Sequence, residues 1–290
     1  MDLGLKIEDK PFPQNITVNL GGRLSIWDRP KIMGVINLTP DSFYEGSRTS
    51  ANSDLFKEKI GIMILEGVDI LDLGGYSTRP GASEISINEE IDRVIPAIEW
   101  ISKEFPETTI SIDTFRSKVA KEAICSGAHI VNDISASELD PEMMATVGDL
   151  GVPYIAMHMR ENPQTMQHHT SYDNIIQDIL YYFSEKLEDC KKFGINDVII
   201  DIGFGFAKTV DQNFYLLKNL QHFKTLDKPL LVGVSRKSMI YKTLGVAADE
   251  ALNGSTALHM YSLCQGANLL RVHDVKEAKE TIELYKKLYP

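Results

Sequence analysis

The feature of this sequence that most restricts its fold is a short apolar segment that recurs eight times and runs each time into polar residues. The segments are 33–36, 70–73, 109–112, 129–131, 154–157, 198–200, 230–234 and 269–272. Their length and composition are typical of buried strands. Parallel strands that close into a barrel bring their carboxyl ends together at one mouth, so the pattern predicts an enzyme site assembled from many strand ends.

Helical patterns alternate with these strands, at about 53–66, 88–105, 116–126, 141–149, 172–193, 211–220, 254–265 and 275–288. Ser53 and Asp140 are predicted helix caps. The alternation favours class α/β and a (β/α)8 TIM barrel over an open doubly wound sheet, which normally has fewer strands and one dominant phosphate loop. Residues 16–27 are predicted to form an N-terminal β-hairpin that covers the bottom of the barrel.

Composition limits the partners and the location of the chain. A barrel of this class needs about 250 residues, so we expect one domain over residues 1–290, with residues 1–30 as its hairpin extension. A net charge of −11 argues against nucleic acid as a partner. No apolar run reaches the roughly 18 residues of a membrane span, and residues 1–10 lack a signal-peptide core. We therefore expect a cytoplasmic protein that binds no membrane.

Two carboxylates and an amide end three separate predicted strands: Asp113, Asn132 and Asp201. Each alone could cap a helix or order a loop. Together they offer acceptors and donors to a flat heterocycle with N–H groups, such as the edge of a pterin or a purine. Carboxylates buried at a barrel mouth must also find donors or shift their pKa.

Cationic residues follow the last two predicted strands. Arg236 and Lys237 follow one, and Arg271 and His273 alternate along the other, so that the second pair projects to the same face. Barrels commonly bind phosphate through the loops after these strands. The sequence therefore predicts an anion site beside Lys237 and Arg271, with Ser238 at a helix start. Arg236 fits an outward-facing surface charge equally well.

The ordered set of motifs resembles the dihydropteroate synthase family. The shared pieces are 33–43, 77–82, 111–114, 131–134, 157–159, 162–167, 201–206, 234–238 and 271–275. Each is moderately specific alone, and their common order is highly specific. The resemblance implies a barrel enzyme of folate biosynthesis that joins 6-hydroxymethyl-7,8-dihydropterin diphosphate to 4-aminobenzoate, with Mg²⁺ assisting. The products would be 7,8-dihydropteroate and diphosphate, and the protein would be a homodimer.

The resemblance also implies roles for individual residues. Those expected to bind the pterin are Asp113, Asn132, Met157, Asp201 and Lys237. Those expected to serve the diphosphate are Asn37, Arg271 and His273, with Asn37 also at the metal. Those expected around the aminobenzoate and the closing loops are Thr78, Arg79, Phe206 and Ser238. The catalytic group would comprise Asp113, Lys237, Arg271 and His273.

The mechanism implied by the resemblance begins with loss of diphosphate, which leaves a cationic pterin methylene for the arylamine to attack. Cationic groups and Mg²⁺ would stabilise the leaving charge. Carboxylates near the ring would favour the developing positive charge on the pterin. The sequence departs from the family pattern at three positions, which carry Tyr76, Phe115 and Ile202.

Two other classes fit part of the pattern. A pterin-dependent methyltransferase has a similar barrel and similar pterin carboxylates but holds no diphosphate, so the motifs at 235–238 and 271–273 favour the synthase. A catalytically silent pterin-binding paralogue would lack a leaving-group residue or a closing loop, and this sequence retains both. Diphosphate release that requires both substrates distinguishes the three classes.

Overall fold

Eight parallel strands close into a barrel, and a two-stranded antiparallel sheet precedes them. The structure is a computed structural model that describes residues 16–38, 53–77, 84–162, 165–166 and 169–289. The barrel order is β10-β3-β4-β5-β6-β7-β8-β9. The strands are β1 (Ile16–Leu20), β2 (Arg23–Trp27), β3 (Lys31–Asn37), β4 (Ile70–Gly74), β5 (Thr109–Asp113), β6 (Ile130–Asp133), β7 (Tyr154–Met157), β8 (Val198–Asp201), β9 (Leu230–Val232) and β10 (Leu269–Val272). The predicted (β/α)8 barrel and the predicted hairpin are confirmed.

Helices connect the strands of the barrel. They are α1 (Asp54–Leu65), α2 (Ile87–Glu104), α3 (Ser117–Cys125), α4 (Met143–Leu150), α5 (Ile175–Lys192), α6 (Val210–Lys218), α7 (Ser238–Leu244), α8 (Leu252–Cys264) and α9 (Val275–Leu288), with a 3₁₀ helix at Leu220–Leu226. Within the described ranges, no helix is both long and apolar enough to cross a membrane.

Strand register places polar residues of neighbouring strands side by side at the carboxyl end. Asn37 pairs with Gly74, Gly74 with Asp113, and Asp113 with Asn132. On the other side of the barrel Met157 pairs with Asp201. Because parallel strands end at the same level, these side chains reach one mouth.

Apolar side chains fill the barrel interior at its amino-terminal end, where the hairpin packs. Trp27 and Val18 of the hairpin, each 2% exposed, belong to one buried cluster with side chains of the barrel strands. Those strand residues are Met33, Ile70, Ile130, Ile155, Ile199, Leu231 and Leu269. The hairpin thus covers the bottom of the barrel, as predicted, and leaves the polar mouth at the opposite end.

Of the two predicted helix caps, Ser53 is confirmed and Asp140 is wrong. Ser53 does cap α1, since its Oγ accepts from the N–H of Phe56 at 3.2 Å. Asp140 does not cap α4, which begins later. Its Oδ2 accepts at 2.7 Å from the N–H of Ser117, at the start of α3, and its Oδ1 accepts at 3.1 Å from the N–H of Glu142, before α4. Ser238 is the first residue of α7, and Lys237 holds the cap position without a side-chain cap bond.

Candidate active site

The guanidinium of Arg271, on β10, lies between two carboxylates at the mouth of the barrel. Its Nε donates to Asp72 Oδ2 at 2.7 Å, and its Nη2 donates to Asp113 Oδ2 at 2.6 Å. The amide of Asn132 donates to the same Asp72 oxygen at 3.0 Å. Side chains from β4, β5, β6 and β10 therefore form one hydrogen-bonded cluster, and three of the predicted site residues meet in it.

Asp72 is the member of this cluster that the sequence analysis missed. It is 1% exposed, and its Oδ1 has no hydrogen-bond partner within the described part of the chain. A signal was present in the sequence, because one acidic residue interrupts the apolar run 70–73. A carboxylate buried in a strand needs a counter-charge, which here is Arg271.

The charged groups of the cluster shift one another's pKa. Burial raises the pKa of Asp113 to about 7; Arg271 opposes the rise, and the charges of Asp72 and Glu90 add to it. Asp113 therefore changes near neutral pH from an acid that can donate to a carboxylate that only accepts. Burial of Arg271 disfavours its positive charge. The negative charges of Asp72 and Asp113 outweigh this effect, so the pKa of Arg271 is raised.

Asp201 and Lys237 form the second charged part of the mouth. Asp201 ends β8, and its Oδ1 accepts from the N–H of Gly203 at 2.8 Å. Burial raises the pKa of Asp201, and the charge of Lys237 opposes that rise. Burial likewise lowers the pKa of Lys237 to about 8, against the attraction of Asp201. The Lys237 ammonium donates to the carbonyl of Phe204 and lies 5.0 Å from the centre of the Phe206 ring.

His273 stands at the rim, directly after β10. Its Nδ1 lies 3.1 Å from Ser235 Oγ, and its backbone N–H donates to the same oxygen at 3.2 Å. Burial and the neighbouring charge of Arg271 lower the pKa of His273. The imidazole is therefore neutral at pH 7, and the expected pair of Arg271 and His273 carries one positive charge in the ligand-free protein. A neutral ring can still donate one N–H to a phosphate oxygen.

The remaining predicted residues fall in three places. Asn37 is at the mouth, in the row of paired strand ends. Met157 is 3% exposed and belongs to an apolar cluster against which the Phe206 ring packs. Ser238 follows Lys237 at the start of α7. Thr78 and Arg79 lie outside the described residues.

Arg236 does not face the anion site. Its Nε and Nη2 donate to the two carboxylate oxygens of Asp274 at 2.8 and 2.7 Å, and its Nη1 donates to the carbonyls of Ala248 and Asp249. The side chain is partly buried, so it is not a free surface charge either. This bidentate pair joins the turn after β9 to the start of α9, and so orients the turn that carries Lys237.

Two of the departures from the family pattern contact each other. The rings of Tyr76 and Phe115 meet edge to face with centres 5.1 Å apart, and the Arg116 guanidinium lies 5.2 and 5.3 Å from them. Arg116 also donates to Glu90 at 2.9 Å, a fully buried carboxylate that the sequence analysis did not identify. The third departure, Ile202, is 1% exposed and packs in the apolar core.

Residues 33–273 match the family described as pterin binding enzyme. The chain belongs to this family of pterin-binding enzymes. Among curated relatives, dihydropteroate synthase of Escherichia coli K12 is 42% identical over 277 residues, which are 95% of each chain. The match confirms the resemblance seen in the sequence and makes the chain an enzyme, a transferase.

Solved structures of pterin-binding enzymes have the same fold as this chain. Dihydropteroate synthase of Xanthomonas albilineans with 4-aminobenzoic acid superimposes with a TM-score of 0.87 at 34% identity, over 95% of this chain and 98% of that one. The same enzyme in complex with 7,8-dihydropteroate gives a TM-score of 0.84 at 32% identity, over 94% and 98%.

Proposed function

We propose that this chain is a dihydropteroate synthase, which condenses 6-hydroxymethyl-7,8-dihydropterin diphosphate with 4-aminobenzoate. The observation that carries the proposal is the cluster of Asp72, Asp113, Asn132 and Arg271, because it sets acceptors for a pterin edge directly beside a cation for the leaving group. The relatives that bind 4-aminobenzoic acid and 7,8-dihydropteroate support these substrate and product classes.

Three of the proposed pterin contacts come from separate strands. We assign Asp113, Asn132 and Asp201 to the polar edge of the ring, since carboxylate and amide oxygens accept from its N–H groups. Met157 would provide an apolar surface, and the Lys237 ammonium would lie over the ring. The ionised carboxylates also stabilise positive charge that develops on the pterin.

The proposed reaction changes two bonds at the methylene carbon of the pterin. The bond between the pterin methylene carbon and a diphosphate oxygen breaks first, and its electron pair leaves with diphosphate. Arg271 and the N–H of His273 stabilise the departing charge. The nitrogen of 4-aminobenzoate then gives its lone pair to the methylene carbon and releases its proton to water. We place Phe206 and Ser238, with Thr78 and Arg79, around this second substrate.

Mg²⁺ is proposed to enter with the diphosphate. The described residues contain no group of three or more His, Cys, Asp or Glu side chains that could hold a metal ion. A magnesium ion on a diphosphate takes most of its oxygens from phosphate and water. Asn37 at the mouth offers one neutral oxygen, which fits such a donor set. The ion would neutralise charge on the leaving group.

The test is a reaction with both substrates, with and without Mg²⁺, in which diphosphate and 7,8-dihydropteroate are measured together. We expect both products to appear only when both substrates are present. A methyltransferase would release no diphosphate, and a silent paralogue would bind the pterin without turnover. Either result contradicts the proposal.

Calorimetry on the His273→Ala variant tests the leaving-group assignment separately. We expect it to weaken binding of the pterin diphosphate at least tenfold and binding of the pterin alone by less than twofold, because only the first ligand carries phosphate oxygens. Equal losses for the two ligands would remove His273 from the leaving-group site.

We also propose that the protein is a homodimer. Apolar side chains on α8 and α9 are exposed, with Tyr261 at 39%, Leu284 at 62% and Leu288 at 65%. Exposed apolar groups on adjacent helices favour an interface between copies. Light scattering at micromolar concentration should give twice the chain mass, and the mass of one chain would contradict a dimer.

A further inference from the structure

Lys208 is a buried lysine that the reaction described above does not use. It lies in the turn between β8 and α6 and is 3% exposed. Its Nζ is 2.9 Å from the carbonyl of Phe206, 3.0 Å from the carbonyl of Gly203 and 3.0 Å from Nδ1 of His158. Within the described residues no carboxylate forms an ion pair with it.

The carbonyl of His158 adds a fourth, longer contact at 3.4 Å, so polar atoms from two segments surround Nζ. Burial lowers the pKa of Lys208 well below its ordinary value, against the attraction of Asp201. A protonated Nζ donates to Nδ1 of His158, and a neutral Nζ accepts from a protonated Nδ1, so the contact holds in either charge state. His158 is itself 3% exposed, and its ring meets Tyr182 edge to face with centres 4.8 Å apart. The lysine therefore has a fixed partner directly after β7 and two fixed partners in its own turn.

The turn that Lys208 holds contacts two charged residues of the mouth, Asp201 and Lys237. Asp201 accepts from Gly203, whose carbonyl Lys208 binds. Lys237 donates to Phe204 and lies over the Phe206 ring, whose carbonyl Lys208 also binds. A shift of this turn would move the partners of both Asp201 and Lys237.

The turn also departs from ordinary backbone geometry. Gly203 has φ +72°, and a Cβ there would lie 2.0 Å from the carbonyl oxygen of His158. Ala207, a residue with a Cβ, has φ +50°. Left-handed conformations are unfavourable for such a residue and persist only where the surroundings enforce them. The bonds from Lys208 to the carbonyls of Gly203 and Phe206 supply that constraint.

We propose that Lys208 is a positioning residue, whose Nζ joins the turn after β8 to His158 and so keeps Asp201 and Lys237 at the spacing that the pterin requires. The inference deepens the proposed function and rests on it for the identity of the ligand. A lysine that served only to stabilise the fold would change the free energy of unfolding without a selective effect on pterin binding.

The test compares Lys208→Met with Asn268→Leu. Methionine keeps the apolar stem and removes Nζ with its hydrogen bonds. Asn268 is a matched control, because it is 3% exposed and its Oδ1 accepts from the N–H of Leu230 at 2.8 Å, at the opposite end of the barrel. Both variants should lower the unfolding midpoint in urea. Only Lys208→Met should raise KM for the pterin diphosphate, by at least tenfold.

Two further measurements distinguish a positioning role for Lys208 from a purely structural one. Hydrogen exchange of residues 202–209 should speed up in Lys208→Met and stay unchanged in Asn268→Leu. If Lys208→Met does not fold, His158→Phe removes one acceptor only and should raise the same KM by at least threefold. A KM within twofold of the wild-type value in a folded variant, together with unchanged exchange, overturns the proposal.

The inference and the proposed function fail in different ways. If the wild-type protein makes no dihydropteroate, the synthase assignment fails, while faster exchange in Lys208→Met and weaker binding of pterin in calorimetry still support the positioning role. If the wild-type protein is an active synthase and Lys208→Met matches Asn268→Leu in every measurement, the positioning role alone is wrong.

Discussion

Arg271 connects the two halves of the site because a single guanidinium can donate along two edges at once. Its bonds to Asp72 and Asp113 hold both carboxylates close to a cation, and Asn132 then binds to Asp72. A lysine offers a point charge and could not hold the same fork. The geometry of the pterin edge therefore depends on a residue that we assign to the diphosphate.

Asp72→Asn tests this dependence. The amide keeps the shape of the side chain but loses the charge that fixes Arg271, so we expect kcat/KM to fall at least tenfold, about 1.4 kcal/mol. Asp69→Asn is the control, because Asp69 pairs with Arg29 at 2.7 and 2.9 Å outside the mouth. It should lower stability and leave kcat/KM within twofold. Equal losses of activity in the two variants would contradict the role of Asp72.

Asp113 should make stability depend on pH. Its pKa is raised from 3.8 in the unfolded chain to about 7 in the ligand-free protein. Between these values the folded state binds more protons than the unfolded state, so stability is greatest below pH 4 for this group and declines as pH rises toward 7.

Urea unfolding at several pH values measures that decline. Asp113→Asn cannot titrate, so its free energy of unfolding should fall less than the wild-type value between pH 5 and pH 8. Parallel curves for the wild-type protein and Asp113→Asn would show that Asp113 ionises normally.

The turn between β8 and α6 is the element on which the site depends most closely. Gly203→Ala would place a methyl group 2.0 Å from a carbonyl oxygen, and Gly148→Ala in α4 would do the same at 2.1 Å, from the carbonyl of Phe193. Both substitutions should destabilise the fold by about 1–3 kcal/mol. Only Gly203→Ala should also raise KM for the pterin substrate, since Gly148 lies outside the turn. An unchanged KM in folded Gly203→Ala would contradict this account.

Strands and their polar ends were predictable because each barrel strand is buried on both faces and therefore continuously apolar. Helix starts were less predictable. Asp140 has the sequence context of a cap for α4, yet its carboxylate reaches the start of α3, a tertiary contact that no local pattern contains. The start of the short helix α7 at Ser238 was predicted, but its extent was not, because the helix follows directly on the polar motif at 235–238.

Site residues were predictable where they follow strands and less so where they lie within them. Asp113, Asn132 and Arg271 meet as expected, whereas Asp72 was hidden inside an apolar run. Lys208 was hidden for another reason. A lysine after a glycine-rich turn looks like a surface residue, and only the fold shows that it is buried beside His158.

The two ends of the barrel perform different tasks in the whole molecule. The carboxyl end gathers charges whose burial is costly, including two carboxylates with raised pKa. The amino end is apolar and closed by the hairpin. Burial of apolar side chains at the amino end offsets the free-energy cost of burying charges at the carboxyl end, because the barrel unfolds as one cooperative unit. Ligand binding, in contrast, depends only on the residues at the mouth.

Trp27→Ala should therefore separate stability from activity. The side chain is 2% exposed against the barrel interior, and its removal should cost about 3–5 kcal/mol in urea unfolding. Ile26→Ala is the control on the same strand, since Ile26 is 62% exposed and should cost less than 0.5 kcal/mol. Assayed well below its unfolding temperature, Trp27→Ala should keep kcat/KM within twofold of the wild-type value, because the mouth lies at the other end of the strands. A folded Trp27→Ala variant that has lost its activity would mean that the hairpin controls the site as well as the stability of the barrel.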